Sequence, residues 1–402
     1  MTSVVEVVLW TMVAGLGLMS LMLFIECLAA LLPAASRVGD EAAARPSAGV
    51  IMPAHDEAAV IGETVTKVLA ELGPDDRLVV VADNCSDATA EIARTGGAEV
   101  VERHDTERRG KGYALAAGHA HLAPAPPDVA VIVDADCHPE PGALETLARQ
   151  AVATGRPAQS QYDMVAPEGG GVRSAISSLA FAVRNRVRGR GLARLGLPCT
   201  LGGTGMAWPW DLVGADDLAT GDIVEDMRLS VDLTTRGSGP YYCPQATVSS
   251  VLPAQDSAES SQRTRWEHGS LSTILSSVPG MVGQSLRRFD LRLLAAAIDQ
   301  AILPLSLLVA ANLTAAGLAA IAWAVGWSSV WPFIALAVAL GLTIVGVAIG
   351  WARFERHRIP ARQLLAAPLY VAWKLPMYFS FVVRRQRAWV RTERDVDQTE
   401  DA

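Results

Sequence analysis

Cysteine is scarce in this 402-residue chain, and what there is lies scattered. Cys27, Cys85, Cys137, Cys199 and Cys243 form no Cys-x-x-Cys pair. That excludes a zinc pattern and a disulfide framework, and it fits a reducing compartment. There is no G-x-G-x-x-G after the first strand-like run and no Walker lysine loop, so neither dinucleotide binding nor P-loop phosphate binding is supported. Charge is thin at 19% of residues. The net charge of −8 argues against a nucleic-acid footprint. No Lys or Arg occurs in Met1–Trp10.

Apolar residues make up 50% of the chain, in an uneven distribution. Val7 to Ile25 carries no charge and is long enough to cross a bilayer, as are Ala301–Trp327 and Trp331–Trp351. The first run lacks a basic n-region and is too long for a signal-peptide core, so it reads as an uncleaved anchor, although Ala-Ala-Ser follows Pro33. Glu6 and Glu26 bracket its core, where a carboxylate can reach the interface. Arg37 and Arg45 follow the first run, Arg287, Arg288 and Arg292 precede the second, and Arg353, Arg356, Arg358 and Arg362 follow the third. These flanks predict the amino terminus outside and the central region in the cytoplasm. The last apolar stretch, Leu364–Val383, contains Pro368, Lys374 and Pro376 between basic clusters (Arg362; Arg384, Arg385 and Arg387). It reads as an interfacial or re-entrant helix in preference to a span.

Between the runs the chain alternates strand-like and helix-like segments. Strands are expected at Gly49–Pro53, Arg77–Ala82, Glu99–Glu102 and Val129–Val133, and helices at Glu57–Glu71, Thr89–Arg94 and Tyr113–His121. This predicts βαβ units and a mainly parallel sheet. The fourth strand ends in Asp134-Ala135-Asp136. Carboxylates at that end of an α/β strand sit where ligands bind, and two hard oxygen donors suit Mg²⁺ or Mn²⁺ shared with a substrate phosphate. A solvated acidic turn would look the same taken alone.

Other chemistry-bearing groups follow in order. Asp83 ends the second strand, where it could accept hydrogen bonds from a base or ribose or simply close an Asx turn. Lys111 lies between Gly110 and Gly112 before a helix, in reach of a phosphate or on an exposed loop. Asp222-Ile-Val-Glu225-Asp226 opens a helix. Its carboxylates serve as ordinary helix-start acids or as a general base on an attacking hydroxyl. Gln262-Arg263-Thr264-Arg265-Trp266 joins guanidiniums suited to pyrophosphate with an indole suited to a sugar face, or forms an amphipathic surface segment. Arg184, Arg186, Arg188 and Arg190 lie among apolar residues between Arg173 and Arg194. They suit anionic headgroups, a lipid-diphosphate acceptor or plain solvent.

Taken together, these motifs resemble the processive branch of glycosyltransferase family 2, the cellulose, chitin and hyaluronan synthase group. The matching residues are Pro53-Ala-His-Asp-Glu57, Asp83, Asp134-Ala-Asp136, Gly202-Gly-Thr-Gly-Met206, Glu225-Asp226 and Gln262-x-x-Arg265-Trp266, within about residues 48 to 270. The small complement of apolar runs is more like that of the nodulation chitooligosaccharide synthases. The chain departs from the family at His55-Asp56, in place of an aromatic-Asn pair, and at Val224, in place of Thr.

The resemblance implies an α/β GT-A (Rossmann-like) cytosolic domain with flanking transmembrane helices. The expected division is an anchor at 1–36, the catalytic domain at 37–292, two spans at 293–352, and an interfacial helix with a basic tail at 353–402. It implies a nucleotide-diphosphate sugar donor, UDP-linked before others, and Mg²⁺ or Mn²⁺. Pro53, Glu57, Asp83, Lys111, Asp134 and Arg265 would serve the donor, and Asp136 with Asp134 the metal. Asp226 would be the base of an inverting transfer, with Glu225 beside it. Gln262, Trp266 and Gly203 would face the acceptor, a growing glycan or a lipid-linked one, at the inner membrane. Two alternatives stand beside polymer synthesis: a single addition onto a lipid-linked acceptor, and a non-catalytic membrane protein that senses a nucleotide.

Overall fold

The computed structural model describes residues 2–33, 44–166, 171–252 and 256–383. Arg37, Arg384, Arg385, Arg387 and the side chain of Gln262 lie outside the described residues. The chain divides into two compact units. One comprises residues 34–165 and 196–269 with the terminal stretch from 387, and the other 1–33, 166–195 and 270–386. Neither is a continuous piece of sequence: residues 166–195 leave the first unit and belong to the second, where a single domain over 37–292 was expected.

The first unit is built on an eight-stranded sheet. Its strands are β1 Ala48–Ala54, β2 Arg77–Asp83, β3 Glu99–Arg103, β4 Val129–Ile132, β5 His138–Pro139, β6 Ala158–Val165, β7 Met206–Pro209 and β8 Tyr241–Val251. They lie in the order β3-β2-β1-β4-β7-β6-β8-β5. The expected parallel half is present as β3-β2-β1-β4. Beyond it β7 runs antiparallel to both β4 and β6, and β5 antiparallel to β8, so the sheet is mixed. β1 and β4, and β2 from Leu78 to Ala82, are apolar and buried on both faces, as strands covered by helices on each side must be.

Helices cover the sheet through short apolar stripes. The helix Ile61–Glu71 buries Ile61, Thr64, Val65 and Val68, one face at helical spacing. Each of its three buried aliphatic side chains contributes about 1.5–3 kcal/mol. The helix was expected from Glu57, but residues 57–60 are a loop stitched to the next one. The Glu57 amide donates to Thr89 Oγ1 (2.7 Å) and the Ala58 amide to Asp87 Oδ2 (3.1 Å). Under the other face Leu115, Leu122, Ile132, Met206, Trp208 and Leu233 form a continuous core.

The second unit is helical. Val4–Ala29, Leu305–Ala324 and Trp331–Glu355 are long and apolar enough to cross a membrane by length and composition. They pack through small residues: Ala315, Ala316, Ala319 and Ala322 lie against Leu9 and Leu336, small side chains that let helix backbones approach closely. Some of their buried polar groups are bonded locally, although Asn312 Oδ1 is buried with no hydrogen-bond partner. Asn312 Nδ2 donates to Ser20 Oγ (3.3 Å) and Leu308 O (2.9 Å), and Thr343 Oγ1 to Ala339 O (3.2 Å).

A separate helix, Leu291–Ala301, precedes the second apolar one. The segment Val172–Leu195 is helical throughout, with one π turn at Val183–Val187. Leu364–Val383 is mostly the helix Ala367–Val383, with Pro376 inside it.

Candidate active site

The strand order places the first residues of interest. β2 and β3 lie on one side of β1, and β4 on the other. Ligands bind outside the carboxyl ends of the strands at such a reversal. Pro53 is in β1, Asp83 closes β2, and Asp134 stands two residues past β4. With strands about 4.8 Å apart, Asp83 and Asp134 mark two ends of a cleft about 10 Å across.

At the Asp83 end, two loops are pinned together. Asp56, at φ 52°, accepts from the Ser86 amide (2.6 Å), and His55 Nδ1 bonds Asp83 O (2.7 Å). Asp83 itself is buried, and its Oδ1 accepts from Arg103 Nη1 (2.6 Å) and Asn84 Nδ2 (3.0 Å). The sequence reading passed over Arg103. The available signal is that it ends β3 directly beside Asp83 in the parallel register. Arg103 also reaches Arg108 O (2.6 Å), and its guanidinium lies 5.5 Å from the Tyr113 ring centre. These contacts make a rigid ledge with Pro53, Glu57 and Asp83 along it.

At the other end, the acids gather around one ammonium. Lys111 begins the helix Lys111–Leu122. Its Nζ is 2.5 Å from Asp134 Oδ1, donates to Gly203 O (2.8 Å) and stands 3.8 Å from Glu225 Oε1. Burial alone would lower the Lys111 pKa, but Asp134 and Glu225 outweigh it and hold it above its ordinary value. Burial raises Asp134 against the pull of Lys111, with Asp136 adding to the rise. Glu225 is pushed up by burial and then by Asp226, again opposed by Lys111.

Lys111 was expected at a phosphate. In this structure it is first the counter-ion of the site's own carboxylates. Glycines on either side of it allow close backbone approach. A Cβ on Gly112 would stand 2.5 Å from Leu218 O and 2.6 Å from Thr220 O. The room is therefore filled by the protein's own segment leading to Glu225.

Gly203 completes the cluster. It adopts φ 84°, and a Cβ there would stand 3.3 Å from Lys111 Nζ and 3.4 Å from Asp226 Oδ2. The glycine-rich loop is therefore beside both Asp226 and Lys111. It is tied to β6 by Gln159, which accepts from the Gly202 amide (2.8 Å) and donates to Thr204 O (3.0 Å). The Asp134 amide donates to Thr204 Oγ1 (3.1 Å), a link nothing in the sequence pattern announces. The helix Glu225–Thr235 starts at this point, and Asp226 Oδ1 accepts the Met227 amide (2.8 Å).

Arg265 and Trp266 lie on the long helix Asp256–Arg288. A Cβ on Gly269 would stand 2.6 Å from Val224 Cγ1. The helix carrying them thus rests directly on the residue before Glu225. The side chain at 224, where the sequence departs from the Thr of its look-alikes, has a packing role here. The structure brings Lys111, Asp134, Gly203, Glu225 and Asp226 into one cluster. Pro53, Glu57 and Asp83 are gathered along the ledge.

Asp134, Asp136 and Cys137 offer ligand atoms all within 4.8 Å of one another. Burial pushes the Cys137 thiol well above its ordinary pKa, and a soft sulfur suits Mg²⁺ and Mn²⁺ less well than oxygen donors do. The two carboxylates are hard oxygen donors of the kind Mg²⁺ and Mn²⁺ take, with the remaining positions open to phosphate and water. The residues fit such an ion. Of the two carboxylates, Asp134 also meets the Lys111 ammonium.

Residues 46–269 match the profile of glycosyltransferase like family 2, over half of the chain. The chain belongs to this family. As a family 2 glycosyltransferase it is an enzyme, which sets aside the purely sensing alternative. No curated protein sequence matches it. Among solved structures it is similar to the mannosyltransferase PcManGT of Pyrobaculum calidifontis, determined with GDP-Man and Mn²⁺. Identity is 19%, with 93% of this chain and 100% of that one covered, at a TM-score of 0.54. At that identity the likeness shows the fold alone: this family 2 enzyme has a GT-A-like architecture. Glucosyl-3-phosphoglycerate synthase of Mycobacterium tuberculosis, with Mn²⁺, UDP-glucose and phosphoglyceric acid, is 22% identical over 56% of this chain and 79% of that one, at a TM-score of 0.37.

Proposed function

We propose that this enzyme is a membrane-bound inverting transferase that moves a sugar from a nucleotide-diphosphate donor to an acceptor hydroxyl, assisted by Mg²⁺ or Mn²⁺. The observation that carries this reading is the cluster in which Asp226 and Lys111 both stand against Gly203, with Lys111 bridging to Asp134. It sets a carboxylate base on one side of a backbone loop and a cation with the strand-end acids on the other. Pro53, Glu57 and Asp83 hold the nucleoside on the ledge. Asp226 takes the proton from the acceptor hydroxyl as its oxygen bonds the anomeric carbon and the bond to the diphosphate breaks. The Arg265 fork meets the departing oxygens, and Gln262 and Trp266 shape the acceptor side. Asp136 and Asp134 hold the divalent ion, which when bound supplies Lewis-acid neutralisation of the leaving diphosphate.

The three apolar helices support a membrane location, with the catalytic unit on the basic, cytoplasmic side. Their packing bears on the acceptor. Asn312 Nδ2 and Thr343 Oγ1 are bonded within the helices while Asn312 Oδ1 is not, and small residues close the contacts. A hydrated polymer would need a polar-lined path, which this packing does not favour. Single addition to a membrane lipid is therefore the reading we adopt over polymer export.

The test is nucleotide-diphosphate release by the purified protein from a panel of UDP-, GDP- and dTDP-sugars, with Mn²⁺ and a membrane-lipid extract. Release from one donor with one sugar per lipid is expected. Asp226→Asn should lower turnover at least a hundredfold while donor affinity changes less than threefold. Ladders of product with excess donor would restore the polymer reading. Loss of donor binding in Asp226→Asn would move that residue out of the base role.

A further inference from the structure

The helical unit has a charge imbalance opposite to that of the chain. Its described residues hold fourteen Lys and Arg against five Asp and Glu, in a protein of net charge −8. Two of those acids are already committed to one arginine. Arg188 Nε is 2.7 Å from Glu26 Oε2, and its Nη2 is 2.5 Å from Asp299 Oδ1, both carboxylates being buried. Gly191 seats this segment directly on the backbone of Glu26, where a Cβ would overlap the carbonyl. The arginine segment is thus locked in place by Arg188, and the arginines around it are presented from a fixed frame.

Three guanidiniums converge beside that lock. Arg186, Arg190 and Arg353 lie 5.6, 5.7 and 5.5 Å from the centre of the Phe354 ring. No two are further apart than about 11 Å, close to a Debye length, so their charges act on one another and on a common ion. One carboxylate, Glu355, stands 3.1 Å from Arg186.

The backbone marks the same spot twice. Arg186 is in the π turn Val183–Val187, and Phe354 and Glu355 are in a second π turn, Trp351–Glu355. Such turns are rare and cluster at functional sites. The chain then continues past Arg356, Arg358 and Arg362 to Leu365 and Leu369, which are 83% and 75% exposed.

We infer that Arg186, Arg190 and Arg353, gathered on Phe354, form a binding site for the phosphate of an anionic lipid. Guanidinium forks match phosphate oxygens in pairs, and the exposed Leu365 and Leu369 further along the chain suit acyl chains better than water. The site is built wholly from residues of the helical unit. It rests on the membrane reading of the apolar helices and is silent on which sugar is transferred.

The test uses the full-length protein in neutral detergent. Phosphatidylglycerol and phosphatidic acid are titrated against phosphatidylcholine, and retained lipid is counted by native mass spectrometry. One anionic lipid retained at micromolar concentration is expected. Arg190→Gln/Arg353→Gln should weaken it at least tenfold, and Arg287→Gln/Arg292→Gln, which removes equal charge from the same unit, less than twofold. Equal weakening by both pairs would mean diffuse attraction and overturn the site. Displacement by millimolar inorganic phosphate would make it a small-anion site and overturn the lipid assignment. No retention by the unaltered protein would overturn both. Should the double variant lose its thermal transition, exposed Arg353→Gln alone decides, with a threefold loss expected. Because binding and transfer are read separately, failure here is distinguishable from failure of the proposed reaction.

Discussion

Removing the ammonium of Lys111 should damage stability and turnover together. The side chain is 21% exposed and its partner Asp134 31%, while Glu225 is 11% exposed. Deleting one member of a fully buried ion pair costs about 3–5 kcal/mol because the remaining charge is stranded. Partial exposure here cuts that to about 2–3 kcal/mol for Lys111→Met. The stranded carboxylates relieve themselves by taking up protons, so the cost should shrink as pH falls from 8 to 6. The assay is the thermal midpoint of the purified protein across that range, beside donor affinity and turnover.

Lys111→Arg should not rescue. The ammonium fits between Asp134 and Gly203 O, so close that a Cβ on Gly203 would stand 3.3 Å from it, and a planar fork needs more room than a point charge. The chain holds only three lysines among its 34 basic residues, so a lysine at this position is a choice of shape. An unchanged midpoint in Lys111→Met, combined with a salt-dependent loss of donor affinity, would refute the argument. It would return Lys111 to the role of a simple phosphate ligand.

Asp136→Ala should weaken Mn²⁺-dependent donor binding by tenfold or more and leave metal-free binding of the nucleoside alone unchanged; calorimetry with and without the ion reads both. Gly269→Ala should cost about 1–3 kcal/mol through overpacking against Val224. Val224→Ala in the same chain should recover most of it, and a double-mutant cycle without coupling would contradict the contact. Glu99 is held down to about 2, first by hydrogen bonds from Arg77 (2.7 Å) and then, against burial, by His121 (2.8 Å). A depressed carboxylate stabilises the fold above its unfolded pKa near ~4.3 and loses that as pH falls towards 2. Its side chain is 40% exposed, so Glu99→Gln should cost less than about 1 kcal/mol at pH 7 and flatten the melting curve against pH below 4.5.

Much of the site was legible because its residues sit at strand ends and helix starts, where the sequence itself signals position. Asp134-Ala-Asp136 after a buried run and Glu225-Asp226 before a helical pattern are of this kind. The partners of Lys111 were not legible, since Gly203 and Glu225 lie about a hundred residues away and only the sheet brings them close. The helix expected from Tyr113 starts at Lys111 because Gly112, a poor helix former, is demanded by the backbone of Leu218 and Thr220. In the far half of the sheet β5 and β7 have only two and four residues, too few to establish a period, while the longer β6 and β8 bury polar residues (Gln159, Ser160, Gln161, Asp163 and Ser250) that break the apolar pattern. The π turns at Val183 and Trp351 leave a helical pattern helical, and no count of apolar spacing detects them.

The excursion of residues 166–195 has a practical corollary. It sits in the chain between β6 and the loop that carries Gly203, so no single cut at either terminus releases the sugar-transferring part alone. A fragment running from 44 to 269 would still contain Arg188 without Glu26 or Asp299, and Gly191 without the backbone it rests on. Such a fragment should aggregate. A version free of the helical unit would instead require 166–195 to be replaced by a short polar bridge, a rearrangement of the gene in its middle and not a trimming of its ends.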